Sequence, residues 1–370
     1  MPGEPVTCED RGMAIPASIR DIDPTWVTNV LRRSGALTGG AVTAVQMSDI
    51  GEGTGIFGEI GRLELTYDGE PGPGSLIAKL PCVEPENLAV AQALGIYERE
   101  IRFFEQIAPS TQLRIPDCHL AELGEDGRFV LVLEDLGVDY EVGDQVAGAD
   151  LQQANAIIDA LVGLHSRWWE SQELHALDWL PVPDAPAYMA AVPDIYRAGL
   201  PVLQESWADK VPAASIDLAL RLDPRFEELM SMTGGGPQTF AHADTRLDNL
   251  FFERGGPGVA FIDFQLSLRG RGVTDLAYFI GTSVQGDVAA ANWENLLRRW
   301  HEQLTDAGIE YAWDDAVLHY KQCALFYLVG AMSLIGTFDS GNERGAALTD
   351  AYTTRIFNHV IDAGTSTVLD

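Results

Sequence analysis

The chain has 370 residues, of which 46% are hydrophobic, and a formal net charge of −31. That length and apolar content suit two lobes, each with its own core, while the charge excludes a nucleic-acid partner, because a phosphate backbone would be repelled. Four cysteines, Cys8, Cys82, Cys118 and Cys323, form no Cys-x-x-Cys pair, so neither a disulfide framework nor a zinc site is indicated, and a reducing cytoplasm fits.

Residues 1–13 carry Pro2, Gly3, Pro5 and Gly12 with Glu4, Glu9 and Asp10. They show no amphipathic period and no apolar stretch of signal-peptide length, so a flexible tail and no secretion are expected. Asp23-Pro24 reads as an N-cap and first helical position, with Trp26, Val27, Val30 and Leu31 on one face and Gly35 closing the helix. Asp49 to Gly58 is a glycine-rich turn leading into the alternating strand Arg62 to Tyr67. Its glycines Gly51, Gly53 and Gly55 either cradle phosphates with their amides or simply make a turn.

Ser75 to Leu80 is an apolar strand interrupted by Lys79, which faces solvent at an edge or is aimed at a phosphate. From Ile96 to Ile107, Tyr97, Ile101 and Phe104 repeat at helical spacing. Glu100 lies beside that stripe and could turn towards Lys79, with Glu98 and Glu105 as nearby competitors. Phe129 to Leu133 is a continuous apolar strand running out into Glu134-Asp135-Leu136-Gly137. The next helix, Leu151 to Glu170, places Ile157, Leu161, Leu164 and Trp168 on one face, with His165 as a hydrogen-bonded core residue.

Between residues 171 and 235 the large side chains Trp179, Tyr188, Met189, Tyr196, Leu200, Leu203 and Trp207 alternate with Pro181, Pro183, Pro186, Pro193 and Pro201. Short helical pieces are expected. Their apolar surface either packs this segment onto the rest of the chain or walls a pocket for an alcohol with an apolar or extended body. The segment is no more acidic than the chain as a whole, so its charge is general and favours solubility rather than capture of a polycation.

The densest chemistry follows. In His242-Ala243-Asp244-Thr245-Arg246-Leu247-Asp248-Asn249 and Phe261-Ile262-Asp263-Phe264-Gln265, Asp244 can reach an acceptor hydroxyl while Asn249 and Asp263 take one Mg²⁺ from two sides. The runs Asn249 to Phe252 and Val259 to Ile262 flank a Gly- and Pro-containing connection and read as a hairpin, which sets Asn249 at the start of one strand and Asp263 at the end of the next. Near the C-terminus, Cys323 to Phe338 is the most apolar stretch. It is short of the roughly 20 residues needed to cross a bilayer, so a buried core helix is expected and membrane insertion is not.

The pattern His-x-Asp-x-x-x-x-Asn followed by an apolar-Asp-aromatic triplet resembles that of the aminoglycoside phosphotransferase and choline kinase branch of the protein-kinase-like fold. The form His-x-Asp-x-Arg-Leu-Asp-Asn is most similar to bacterial ecdysteroid-kinase-like phosphotransferases, with Ala243 where the family usually has Gly, a small steric change. The resemblance runs from about residue 15 to about residue 362. It implies an α+β bilobal fold: a nucleotide-binding lobe over 14–136 with an antiparallel sheet plus one helix, ending in a hinge, and a mostly helical catalytic and substrate-binding lobe over 137–370, with 171–235 covering the substrate.

The same resemblance favours Glu100 as the partner of Lys79, gives the adenine edge to the backbone of Glu134 and Leu136, and makes Asp275 a brace for the catalytic loop. Arg246 stands where kinases often carry a base that neutralises charge on the transferring phosphoryl group. Only eleven residues separate Asp263 from Asp275, too few for a protein-kinase activation loop. The expectation is an ATP- and Mg²⁺-dependent kinase of a small-molecule alcohol, either a sterol-like alcohol or a hydroxyacyl thioester. An aminoglycoside acceptor and a silent nucleotide-binding module are the alternatives. The sequence leaves the oligomeric state open.

Overall fold

The computed structural model describes residues 13–50, 58–336 and 343–370. The glycines Gly51, Gly53 and Gly55 and nearly all of the N-terminal tail lie outside the described residues; Met13 is the one tail residue within them. The chain divides into two compact units, Met1–Gln106 with Pro116–Asp135, and Ile107–Ile115 with Leu136–Asp370.

In the first unit, helix α1 (Pro24–Arg33) starts where Asp23 accepts from the Trp26 N–H at 2.8 Å and Pro24 occupies the first helical turn. Strands β1 (Ala41–Asp49), β2 (Gly58–Asp68) and β3 (Ser75–Pro81) come next, then helices α2 (Pro85–Ala93) and α3 (Ile96–Arg102), and finally β4 (Cys118–Leu123) and β5 (Phe129–Glu134). The strands form one antiparallel sheet in the order β1-β2-β3-β5-β4. Val27, Val30 and Leu31 of α1 pack with Leu63, Leu76, Ala78, Val130 and Val132 into the core of this unit. The helical pattern that ran to Ile107 in the sequence tightens its hold only to Arg102 and continues as a π turn from Phe103. At the end of β5, Asp135 accepts from Arg62 at 2.7 Å and from the Ser75 hydroxyl at 2.7 Å, so the last residue of this unit is tied to two strands.

The second unit holds β6 (Tyr140–Val142) and helices α4 (Leu151–Trp168), α5 (Gln172–His175), α6 (Pro186–Ser206), α7 (Ala213–Leu222) and α8 (Phe226–Gly234). Then come β7 (Thr239–Ala241), β8 (Leu250–Glu253), β9 (Val259–Phe261) and β10 (Leu268–Gly270), followed by α9 (Val273–Thr282), α10 (Gly286–Asp306), α11 (Trp313–Phe326), α12 (Leu328–Gly336) and α13 (Glu343–Asp362). Two small antiparallel sheets, β6-β8-β9 and β10-β7, carry the loops between them. The segment Ile107–Ile115 belongs here because the Phe261 N–H donates to the Arg114 carbonyl at 2.9 Å.

Two expectations change. The apolar stretch from Cys323 is not one helix: α11 ends at Phe326, Tyr327 caps it, and α12 starts afresh at Leu328. The proline-studded segment is not a string of short pieces either, because α6 runs 21 residues with Pro193 and Pro201 inside it. Tyr196 and Leu203 on α6 are fully buried and Leu200 nearly so; Tyr196 stacks on Phe226 at 4.3 Å and donates to the Ala219 carbonyl at 2.9 Å. Packing on one face therefore offsets the backbone hydrogen bonds that proline removes. Trp207 is also buried, whereas Trp179, Tyr188 and Met189 stay partly exposed. Among the described residues no helix is long and apolar enough to cross a membrane.

Candidate active site

The hairpin β8–β9 pairs Leu250 with Phe261 and Phe252 with Val259, so the residues just before β8 and just after β9 emerge at the same end. Asn249 closes a 3-10 turn there, and its carbonyl accepts the Ile262 N–H at 3.0 Å. Asp263 follows with φ +66°, a left-handed conformation that Asp tolerates better than most residues.

The Asn249 amide NH₂ donates to both the Asp244 carbonyl and Asp244 Oδ2 at 3.0 Å, which turns the amide oxygen away from Asp244. That oxygen and the Asp263 carboxylate are the hard donors Mg²⁺ prefers. Among the described residues no group of three or more His, Cys, Asp or Glu is gathered for a metal. Mg²⁺ in nucleotide sites is commonly held by one or two protein ligands together with phosphates and water, so the pair suffices.

Asp244 is nearly buried, and each of its oxygens has a partner: the Tyr278 hydroxyl donates to Oδ1 at 2.9 Å, and Asn249 donates to Oδ2. Arg246 Nε stands 3.7 Å from Oδ2. The Asp244 charge, opposed by burial, holds the guanidinium well above its ordinary range and therefore charged. Asp248 lies on the loop's other side, where burial pushes its carboxyl up against the opposing pull of Arg246 and Arg344.

The loop itself is fastened from below by Asp275. Its carboxylate accepts the His242 N–H at 2.9 Å, the Ala243 N–H at 2.7 Å and His165 Nε2 at 3.0 Å. Trp300 Nε1 donates to His165 Nδ1 at 2.9 Å, so the ring proton of a neutral His165 sits on Nε2, where it faces Asp275. Gly272 makes this approach possible, since a Cβ there would stand 2.7 Å from Trp300 and 3.0 Å from His165. His242 repeats the device: its Nδ1 accepts the Asp244 N–H, and its Nε2 donates to the Ile262 carbonyl at 2.9 Å, linking this loop to the strand before Asp263. Ala243 has φ +62°, a left-handed conformation that strains any residue with a Cβ.

In the first unit, Lys79 on β3 and Glu100 on α3 are both buried, and Nζ lies 2.6 Å from Oε2. Glu98 and Glu105 instead meet Arg102 near the surface. Gly58, the first residue of β2, faces the Lys79 stem, where a Cβ would come to 3.4 Å of Cε. The Glu134 N–H donates to the Asp117 carbonyl and its side chain accepts from the Asp117 N–H. Leu136 heads a 3-10 turn whose first carbonyl accepts from the Asp139 N–H.

Two bracing residues escaped the sequence reading. Gln145 is buried, accepts the Leu247 N–H at 2.8 Å and donates to the Thr282 carbonyl at 2.9 Å; nothing in its local sequence marks it. Tyr278 could have been found, because it follows Asp275 by three residues and so shares its face of α9.

Solved structures similar to this chain include kinases of small molecules. Choline kinase from Cryptosporidium parvum Iowa II is 11% identical, covers 87% of this chain and 91% of its own, and superposes with a TM-score of 0.54. Ethanolamine kinase from Plasmodium vivax is 12% identical, with coverage of 88% and 86% and a TM-score of 0.52. The GDP complex of wild-type aminoglycoside 2′-phosphotransferase-IIIa is 15% identical, with coverage of 84% and 93% and a TM-score of 0.50. At these identities the likeness is one of fold, and that fold is the α+β protein-kinase-like one. The search of curated proteins finds no match. The profile of the ecdysteroid kinase-like family matches residues 53–310, and the chain belongs to that family. It is thus an enzyme of the small-molecule phosphotransferase class, whose acceptors are hydroxyl groups.

Proposed function

We propose that the protein transfers the γ-phosphate of ATP, with Mg²⁺, to a hydroxyl of a small alcohol. The observation that carries this reading is the Asp244–Asn249 contact beside Asp263, in which one amide fixes the carboxylate and presents its oxygen on the other side. Asp244 orients the acceptor hydroxyl and receives its proton as the phosphoryl group moves. Arg246, kept charged beside it, neutralises charge on the group in flight. Asn249 and Asp263 would hold Mg²⁺, which supplies charge neutralisation on the β- and γ-phosphates when bound. Lys79, fixed by Glu100, serves the α- and β-phosphates, a role to which Gly51, Gly53 and Gly55, outside the described residues, are also assigned, with the backbone of Glu134 and Leu136 for the base. Relatives in complex with GDP support a nucleotide as the donor.

For the acceptor, a sterol-like alcohol or a hydroxyacyl thioester stands first. The family carries the name of an ecdysteroid kinase, and the aromatic rings of Tyr278, Tyr327 and Tyr352 cluster on the Asp244 side of the second unit. The test is ADP release from Mg·ATP with steroid alcohols, hydroxyacyl thioesters and kanamycin at matched concentration. Turnover should appear with one of the first two, and efficient turnover of kanamycin alone would overturn the acceptor class. On the accepted alcohol, Asp244→Ala should lower kcat by roughly 10²–10⁴-fold with Mg·ATP still bound, whereas Asp263→Ala should weaken Mg·ATP binding as well. Parent-like turnover by Asp244→Ala would overturn the phosphotransfer reading.

A further inference from the structure

The Tyr278 hydroxyl is 2.9 Å from Asp244 Oδ1, and its ring is held edge-on by Tyr327, with centroids 4.7 Å apart at 77°, and by Tyr352 at 5.9 Å and 66°. Tyr352 is itself confined: a Cβ at Gly330 on α12 would stand 2.2 Å from its hydroxyl, so α12 presses directly on it. The same helix α9 carries Asp275, which grips the loop backbone at His242 and Ala243. One rigid element thus holds both the loop's main chain and its reactive carboxylate. Burial, reinforced by the Asp244 charge, pushes the Tyr278 hydroxyl well above its ordinary range, which keeps it protonated and a donor.

We propose that Tyr278 is a positioning residue for phosphotransfer, fixing the plane of the Asp244 carboxylate so that its remaining lone pairs face the acceptor hydroxyl. The proposal rests on the reading of Asp244 given above. A carboxylate with a donor on one oxygen only can swing about its Cβ–Cγ bond; donors on both oxygens, Tyr278 on Oδ1 and Asn249 on Oδ2, stop that rotation. Alignment of reacting groups is worth large factors in rate, and small misplacements forfeit them.

Tyr278→Phe keeps the ring in its packing and removes the hydroxyl, with its bonds to Asp244 and to Tyr352. Tyr320→Phe is the comparator, since Tyr320 is fully buried and loses a 2.7 Å hydrogen bond to His359 away from Asp244. The assay is Mg·ATP hydrolysis by the full chain, in which water stands in for the acceptor hydroxyl. Tyr278→Phe should lose roughly 10–100-fold in kcat with KM for Mg·ATP within about twofold of the parent, while Tyr320→Phe loses thermal stability but keeps kcat within about twofold.

The contact is read separately in the resting protein. With 3-fluorotyrosine incorporated, the ¹⁹F resonance that vanishes in Tyr278→Phe should move on Asp244→Asn. A stationary resonance overturns the contact, and an unchanged kcat or a KM that rises with the fall in kcat overturns the role. A parent without turnover would overturn the role together with the reading beneath it. That case is told apart from failure of the proposal alone, in which parent and Tyr278→Phe are equally active.

Discussion

At single residues, the strongest constraint is Asp275, a fully buried carboxylate that receives three donors. Asn has nearly the same shape but only one acceptor oxygen, and its NH₂ would confront a donor. His165 cannot relieve this by moving its proton, because Trp300 already donates to Nδ1. Asp275→Asn should therefore cost about 2–4 kcal/mol of stability, since a buried donor is left unpaired. Urea denaturation followed by fluorescence measures it, and a loss under about 1 kcal/mol would show the network to be slack.

Ala243 raises a different balance. Its left-handed conformation costs an L-residue about 1–2 kcal/mol, but glycine there brings its own entropy cost of about 0.5–1 kcal/mol and forfeits a buried methyl. Ala243→Gly should thus be close to neutral, within about 1 kcal/mol, and active. Ala243→Val, β-branched at positive φ, should lose more than about 2 kcal/mol in the same denaturation experiment.

At the level of elements, α6 and α12 meet backbone to backbone through glycine. A Cβ at Gly199 would lie 2.6 Å from both the Cα and the carbonyl oxygen of Met332, and one at Gly336 would lie 2.8 Å from the Gly199 Cα. No side chain can yield there, so Gly199→Ala should separate the helices and cost about 1–3 kcal/mol, read as a lowered Tm; an unchanged Tm would mean the crossing is looser than this. The same pair shows what the sequence carried and what it hid. The layout of the candidate site was legible because its spacing is local: one turn brings Asn249 against Asp244, and one hairpin separates Asn249 from Asp263. The length of α6 was not legible, since Pro193 and Pro201 are local stop signals overruled by distant contacts of Tyr196 and Leu203. The break at Tyr327 was hidden in the opposite way, by uniform apolar composition that carries no end signal. Positive φ at Ala243 and the reach of Tyr278 to Asp244 depend on how α9 docks beneath the loop, which no short window of sequence encodes.

At the scale of the whole molecule, a charge of −31 would suggest that acidification relieves self-repulsion and stabilises the fold. Buried histidine opposes this. His359 on α13 is 2% exposed, shares a 2.7 Å hydrogen bond with Tyr320 through Nε2, and has Nδ1 buried without a hydrogen-bond partner. Burial lowers its pKa from 6.5 to about 4. Because the folded pKa is the lower one, the unfolded chain takes up the proton first as pH falls, so stability is lost from pH 6.5 downward until the folded form protonates near pH 4. Most carboxylates titrate only below about pH 5, so between there and pH 6.5 the histidine effect governs. The parent should lose stability over that interval, with His359 contributing up to about 1.4 kcal/mol per pH unit. His359→Gln, neutral throughout and still able to meet the Tyr320 hydroxyl, should be less stable at pH 7 but show a slope flatter by about one proton. Urea midpoints for both proteins at pH 7, 6 and 5 decide the matter: parallel slopes would mean that His359 is protonated in the folded state and that the acidic surface sets the pH dependence.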